Sequence, residues 1–271
     1  MASASQLRRA KRLITAARAF RAKVEKAQAP AFAADLGTYF TAQAARLVLP
    51  AQESRKALPK KIDPLTLLDW TAEDAALLTL IESHFTDVAQ LAIPFVGEQL
   101  GITVSFDLAN PYIARVLDGV GVLVKGLNED SRQFLASAIE TGLANGDGPA
   151  VIGRDLRGLV SGWSDARSLT IARTETAHAL NWAATAGYRD SGIVPDCICL
   201  DSPDCGWDGH DDSELADGTV RSLDEAESFP TSHPNCVRAF APNVDTGTGQ
   251  LSDAVPADSP EAQAQAVDEE A

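Results

Sequence analysis

The helical sequence pattern that runs through most of the chain ends after Pro195. Up to that point, apolar residues recur at three- and four-residue spacing between caps, turns and prolines. Beyond it, Gly, Asp, Pro, Cys and His replace this pattern, and aliphatic side chains become scarce. Such a segment needs something besides an apolar core to hold it together. The pattern therefore predicts a mainly α-helical protein with a small irregular or α+β knuckle, containing Cys and His, near its C-terminal end.

The sequence divides into four predicted regions, which differ in charge and in composition. They are a basic amphipathic helical arm over residues 1–28, a helical region over 29–148, a helix-and-knuckle domain over 149–242, and an acidic, disordered tail over 243–271. Inside the helical regions, Asn128 or Ser131 is expected to cap one helix, and Ser164 is expected to cap another.

The net charge of −15 is distributed unevenly. Residues 1–26 carry eight basic residues and one acidic residue, whereas residues 243–271 carry seven acidic residues and no basic one. An acidic body excludes a protein that wraps DNA with its whole surface, because phosphates repel it. Two interpretations of the basic arm stay open. It contacts nucleic acid or an acidic partner, or it is a solvated helix whose apolar side packs on the body. The candidate contact residues are Arg8, Arg9, Lys11 and Arg12.

Three broad protein classes are also unexpected for this sequence. No apolar run reaches the roughly 18 residues that a membrane-spanning helix needs, so we expect no transmembrane segment. No apolar stretch follows the basic N-terminus, so we expect no secretory signal peptide. Four cysteines are too few for a disulfide scaffold in a chain of 271 residues.

All four cysteines and two of the four histidines lie between residues 197 and 236. Structural zinc takes four such ligands, and close pairs are favoured because a short turn aims two side chains at one point. Two such pairs, Cys205 with His210 and His233 with Cys236, predict a Cys2His2 zinc site. A rival set consists of the four cysteines: Cys197, Cys199, Cys205 and Cys236. Buried unligated thiols and disulfides remain further alternatives.

An enzymatic alternative rests on acidic residues and histidines in the same part of the chain. Three groups could support catalysis: Glu175 with His178, residues 210–212 with His233, and the Glu-x-Glu pair Glu225 and Glu227. Each has a plainer explanation, as a salt bridge, a polar loop or a short charged helix. No glycine-rich phosphate loop or nucleophile elbow accompanies them. We therefore expect a protein without catalytic activity.

Two motifs appear in a fixed order over about residues 150–242. A helix carries Arg173-Thr174-Glu175 and then Asn181, and after a Cys-containing segment the chain reads His233-Pro-Asn-Cys236. This order and spacing resemble the signature domain of the Mu F-like minor head proteins, the head-morphogenesis proteins of tailed bacteriophages. The altered Cys-containing segment is similar to a variant found in phages of actinobacteria.

The resemblance implies a non-enzymatic virion component in the capsid interior or at the portal vertex, present in the host cytoplasm during assembly. The implied partners are the portal protein and the major capsid protein, with packaged DNA as a further partner of the basic arm. The motif residues implied to be structural are Arg173, Thr174, Glu175, Asn181 and Pro234. Glu175 is expected to accept hydrogen bonds from the loop around His233. Two alternatives remain: a metal-dependent hydrolase or toxin-like transferase acting on nucleic acid or NAD, and a generic helical adaptor with a zinc knuckle.

Overall fold

The structure is a computed structural model that describes residues 4–47, 68–104, 111–145, 147, 149–209 and 212–243. The described elements, in chain order, are α1 (Ala4–Arg46), α2 (Trp70–Leu100), α3 (Pro111–Ala144), α4 (Pro149–Ser191), β1 (Asp196–Leu200), β2 (Val220–Ser222), α5 (Leu223–Ser228) and β3 (Ala239–Pro242). This confirms the predicted fold class, a mainly helical chain with a small α+β region near its C-terminal end. We call this region, which comprises β1, β2, α5, β3 and the described loops between them, the knuckle. The predicted acidic tail, residues 243–271, lies outside the described residues except for the buried Asn243, and so does His210.

The described residues form two compact units, and each unit is assembled from separate stretches of chain. The first unit draws on Met1–Glu25, Ala89–Phe106 and Ala177–Ala271, and the second on Lys26–Val88 and Asp107–Thr176. Three long helices, α1, α2 and α4, thus contribute residues to both units. The predicted boundary at residue 28 falls inside α1, and the predicted division into four regions stays a prediction.

The predicted helix caps at Asn128, Ser131 and Ser164 were wrong, because all three residues lie inside longer helices. Asn128 is fully buried in α3 and donates its side-chain amide to the Asp74 carboxylate at 2.6 Å. The Ser131 hydroxyl donates to the carbonyl of Leu127 one turn earlier, at 2.9 Å. Asn128 is thus paired with a distant side chain, and Ser131 shares a carbonyl of its own helix, so neither side chain caps a helix start.

The second unit combines an apolar core with a buried polar cluster. In the cluster, the Arg46 guanidinium makes two hydrogen bonds to the Glu73 carboxylate, at 2.7 and 2.8 Å. The Gln43 amide donates to the Tyr39 hydroxyl at 3.0 Å. Burial, together with the Glu73 charge, raises the pKa of Tyr39. The apolar core lies around Trp70 and the facing residues Leu135, Ile139, Ile152 and Leu156.

The first unit is built on a three-stranded antiparallel sheet with the order β2-β1-β3. Successive side chains of a strand point to opposite faces, and both faces of β1 are buried. On one face, Ile198 and Leu200 pack against Ala10 and Ala17 of α1. The apolar side of the basic arm is thus covered by the sheet, as the second interpretation of that arm predicted. Among the described residues, no helix is long and apolar enough to cross a membrane.

His84 is a buried titratable group in the core of the second unit. Its ring stacks on Phe32 with the two ring centroids 3.9 Å apart, and its Nε2 lies 2.9 Å from the Thr176 hydroxyl oxygen. Burial lowers the pKa of His84 from 6.5 to about 4, because the charged ring would lose its hydration. The folded protein therefore holds this side chain neutral.

We predict that His84 makes the protein less stable in mild acid. The unfolded chain binds a proton at His84 near pH 6.5, whereas the folded chain resists protonation until about pH 4. The contribution to stability is complete above pH 6.5 and falls as the pH decreases toward 4, by at most about 1.4 kcal/mol per pH unit. Urea unfolding of His84→Gln should show a flatter pH dependence in this window than the unsubstituted chain. Equal slopes would contradict the prediction.

Candidate metal centre

Three side chains with metal-ligating atoms meet beside the sheet of the first unit. Their ligand atoms, on Cys205, His233 and Cys236, all lie within 4.8 Å of one another. Cys205 Sγ is 3.0 Å from His233 Nε2, both cysteines are buried, and His233 is half-buried. These are three of the four residues of the predicted Cys2His2 set, and the fourth, His210, lies outside the described residues. The group could hold a metal ion.

The other two cysteines lie in a different environment. Cys197 and Cys199 project from β1 into an apolar core cluster that also contains Tyr188 and Phe240. Burial raises the pKa of both thiols, and the Cys197 thiol donates weakly to the Arg221 carbonyl at 3.6 Å. The described residues thus do not gather the rival four-cysteine set, and all four cysteines are free thiols.

The turn from His233 to Cys236 prepares the imidazole for metal binding. The Cys236 N–H donates to the His233 carbonyl at 3.1 Å, and Asn235 adopts a φ of 60°, a left-handed conformation that asparagine tolerates better than most residues. His233 Nδ1 lies 2.8 Å from the Pro234 carbonyl oxygen. Because a carbonyl only accepts, Nδ1 carries the proton and the Nε2 lone pair faces Cys205.

Cys205 is positioned by a tightly folded loop that follows β1. Its N–H donates to the Ser202 carbonyl at 3.0 Å, and its own carbonyl accepts from the Ala216 N–H at 2.9 Å. Position 206 requires glycine, because a Cβ there would lie 2.2 Å from the Gly209 carbonyl oxygen. Burial raises the pKa of Cys205 to about 11, so the thiol without a metal stays protonated.

A buried ion pair between Asp201 and Arg238 supports both cysteines of the group. The two side chains are fully buried, and Arg238 Nε donates to Asp201 Oδ2 at 2.8 Å. The rest of the guanidinium donates to three carbonyls, those of Gly206, Trp207 and Phe229, at 2.9 to 3.0 Å. The Cys236 thiol lies 3.5 Å from Asp201 Oδ1. Each nitrogen of the Arg238 guanidinium thereby has a hydrogen-bond partner, as a buried charge requires.

Sequence reasoning did not single out Asp201 and Arg238 as site residues. The available signal was an arginine placed directly before the apolar strand β3, where a buried arginine has to have a partner. Nothing in the local sequence identified the partner, because Asp201 lies 37 positions earlier.

Two basic residues of α1 also contact the knuckle. Arg18 Nη2 donates to Asp217 Oδ1 at 2.8 Å, and the same oxygen accepts the Asp201 N–H at 2.8 Å. Arg21 is buried, and its Nη2 donates to the Cys236 carbonyl at 2.7 Å. These arginines therefore attach the basic arm to the knuckle.

The helix α4 contacts the loop that precedes and contains the His233 turn. The buried Asn181 amide donates to the Pro230 carbonyl at 2.6 Å and to the Arg238 carbonyl at 3.1 Å. Farther along the loop, His178 Nε2 pairs with the Thr231 hydroxyl. Asn181 thus supplies both of its amide protons to the backbone on either side of the His233–Cys236 turn.

The remaining motif residues do not contribute ligand atoms to the group of Cys205, His233 and Cys236. Arg173, Thr174 and Glu175 belong to the part of α4 in the second unit, and they are exposed, half-buried and buried, respectively. Pro234 is exposed, and its carbonyl fixes the ring of His233. The expected hydrogen bonds from the loop around His233 to Glu175 stay a prediction.

Three of the acidic residues considered for catalysis are engaged in the fold. Glu225 closes the capping box of α5, since its carboxylate accepts from the Ser222 N–H and hydroxyl at 2.9 and 2.7 Å, which lowers its pKa. Glu227 pairs with Arg189 at 3.0 Å. The Asp212 carboxylate accepts the Glu214 N–H at 3.1 Å within its own loop.

We predict that Arg238→Met lowers the free energy of unfolding by about 3–5 kcal/mol, because it leaves the buried Asp201 carboxylate unpaired. Arg238→Lys should lie between this variant and the unsubstituted chain, since an ammonium group cannot reach all four acceptors. Arg154→Met is the matched control, because Arg154 is 72% exposed and its ion pair with Asp155 is solvated. Urea unfolding measures all three variants, and equal losses in Arg238→Met and the control would contradict the prediction.

Comparisons with known proteins do not assign this chain to a family. No family model matches it, and no curated protein and no solved structure is significantly similar to it. The resemblance to Mu F-like proteins therefore rests on the two motifs.

Proposed function

We propose that the chain is a non-enzymatic minor head protein of a tailed bacteriophage, of the Mu F-like family. In this role it associates with the portal protein and the major capsid protein, in the capsid interior or at the portal vertex, and aids head morphogenesis or genome delivery. One structural observation supports the assignment to this family. Asn181, from the first motif, donates hydrogen bonds to the carbonyls of Pro230 and Arg238, which flank the second motif. Asn181 and the second motif, about 50 residues apart, thus lie in one folding unit, which supports a shared signature domain.

The absence of catalysis is part of this proposal. Its support is that three of the acidic side chains considered as catalytic groups already serve the fold: Glu225 caps α5, Glu227 pairs with Arg189, and Asp212 holds its own loop. A general acid or base has to reach a substrate with a free lone pair or proton.

We further propose that the group of Cys205, His233 and Cys236 binds zinc, with His210 as the fourth ligand. Two thiolates and an imidazole are the donor set that zinc prefers, and a soft sulfur pair disfavours magnesium and calcium. Bound there, zinc would supply a structural cross-link between the loop of Cys205 and the turn of His233. The knuckle has few aliphatic side chains, so such a cross-link would contribute directly to its stability.

The zinc proposal predicts about one zinc per chain by elemental analysis of the purified protein. Cys205→Ala and His210→Ala should each lose most of this zinc. Cys199→Ala is the control, because Cys199 is a buried core thiol outside the group, and it should retain the metal. Far-UV circular dichroism checks that each variant is folded. A folded, metal-free chain, or equal zinc loss in Cys199→Ala and Cys205→Ala, would contradict the proposal.

The head-protein proposal predicts that mass spectrometry of purified virions detects this chain at a low copy number relative to the major capsid protein. Heads purified from a strain in which the gene is deleted serve as the control. Absence of the chain from virions would overturn the proposal and favour the helical adaptor. Turnover of nucleic acid or NAD by the purified chain, lost in Glu225→Gln or Asp212→Asn, would instead favour the enzymatic alternative.

A further inference from the structure

The part of α1 that belongs to the first unit carries a row of basic side chains on its outer side. The row consists of four exposed residues: Arg8, Lys11, Arg12 and Lys23. With a turn of about 100° per residue, they fall within an arc of roughly 120°. The row extends over about 22 Å, at a rise of about 1.5 Å per residue. We call these four residues the basic face.

The other side of the same helix is attached to the knuckle. Ala10 and Ala17 pack on the sheet, and Arg21 binds the Cys236 carbonyl. Arg18, at the edge of the basic face, binds Asp217. The helix is therefore held by contacts along its inner side, and the basic face is displayed on a fixed backbone. No acidic residue occurs between residues 4 and 24, so nothing on this stretch of helix neutralises the row.

The residues between the basic side chains limit what kind of partner fits the face. Thr15, Ala19 and Ala22 lie within the same arc and are exposed, so small side chains occupy the centre of the basic face. Protein interfaces depend on large aromatic and aliphatic anchors, which this arc lacks. The chemistry of the face thus favours a partner that offers repeated negative charge and little apolar surface.

An anionic lipid surface and a single-stranded nucleic acid both fit the basic face less well than a nucleic-acid duplex does. An amphipathic helix binds a lipid surface by burying its apolar side, but here that side is covered by the sheet. Single-stranded nucleic acid is bound through aromatic side chains on which bases stack. Phe20, the aromatic residue of this stretch, is half-buried and stacks on Phe95 with ring centroids 3.9 Å apart.

We propose that the basic face binds the phosphate backbone of a nucleic-acid duplex without reading its sequence. Arg8, Lys11, Arg12 and Lys23 each contact phosphate oxygens, and the small central residues allow the backbone to approach the helix closely. Arg18 and Arg21 take no part, because they are committed to the knuckle. The inference deepens the proposed function, on which it rests for the setting in which the chain would meet duplex DNA. The net charge of −15 disfavours a wider contact between the duplex and the rest of the chain.

The test is fluorescence-anisotropy titration of the full chain with a 30-base-pair DNA duplex of mixed sequence. Four phosphate contacts predict a slope of about −3.6 in a plot of log affinity against log salt concentration. Raising the monovalent salt from 50 to 200 mM should then weaken binding roughly 150-fold. A second duplex of unrelated sequence should bind equally well.

Charge-matched variants separate the basic face from the net charge. Arg8→Gln/Lys11→Gln/Arg12→Gln should reduce the salt slope by about 2.7. Lys56→Gln/Lys60→Gln/Lys61→Gln removes the same charge from a connector outside the described residues, and it should leave the slope unchanged. Glutamine keeps a good helix propensity, and circular dichroism confirms that α1 is intact.

Several results would overturn the inference. These are equal weakening by the two triple variants, tighter binding to a single-stranded 30-mer than to the duplex, or retention on phosphatidylserine vesicles without duplex binding. The test is independent of the virion analysis. A chain that is present in virions but does not bind the duplex overturns this inference alone. A chain that binds the duplex but is absent from virions overturns only the head-protein proposal.

Discussion

The buried ion pair between Asp201 and Arg238 is the interaction on which the knuckle depends. Removing two charges from water is costly, and the cost is offset only when every donor and acceptor is satisfied. Here the guanidinium donates to Asp201 and to three loop carbonyls, so one side chain joins the end of β1, the loop after it and the segment between α5 and β3. The Cys236 thiol lies against the same carboxylate. The pair therefore determines where the cysteines of the candidate metal centre lie.

The long helices hold this centre from two sides. From α4, Asn181 donates to the backbone before and after the His233 turn, and from α1, Arg21 donates to the Cys236 carbonyl. Neither contact reaches a ligand side chain, so both act on the backbone that carries the ligands. This arrangement gives the basic arm two distinct sides. Its inner arginines secure the knuckle, while its outer basic residues stay exposed.

The sequence was informative wherever neighbouring residues decide the outcome. Helical spacing predicted the helical body, and close pairing predicted that His233 and Cys236 lie together, since a four-residue turn requires only a left-handed Asn235. The predictions failed where distant partners compete. Asn128 and Ser131 are good caps in isolation, yet inside α3 their side chains are satisfied by Asp74 and by the preceding turn. The rival set of four cysteines likewise does not form, because the side chains of Cys197 and Cys199 point from β1 into the apolar core.

The sequence by itself determined the fold class and the position of the knuckle. It also determined the placement of a net positive charge on the first 26 residues, because these follow from composition and spacing along the chain. Only the tertiary structure decided that Cys205 meets His233 and Cys236 and that Asp201 neutralises Arg238. It also separated the basic residues of α1 into those that bind the knuckle and those that remain exposed. These outcomes depend on residues far apart in sequence, and only the folded backbone sets the distances between them.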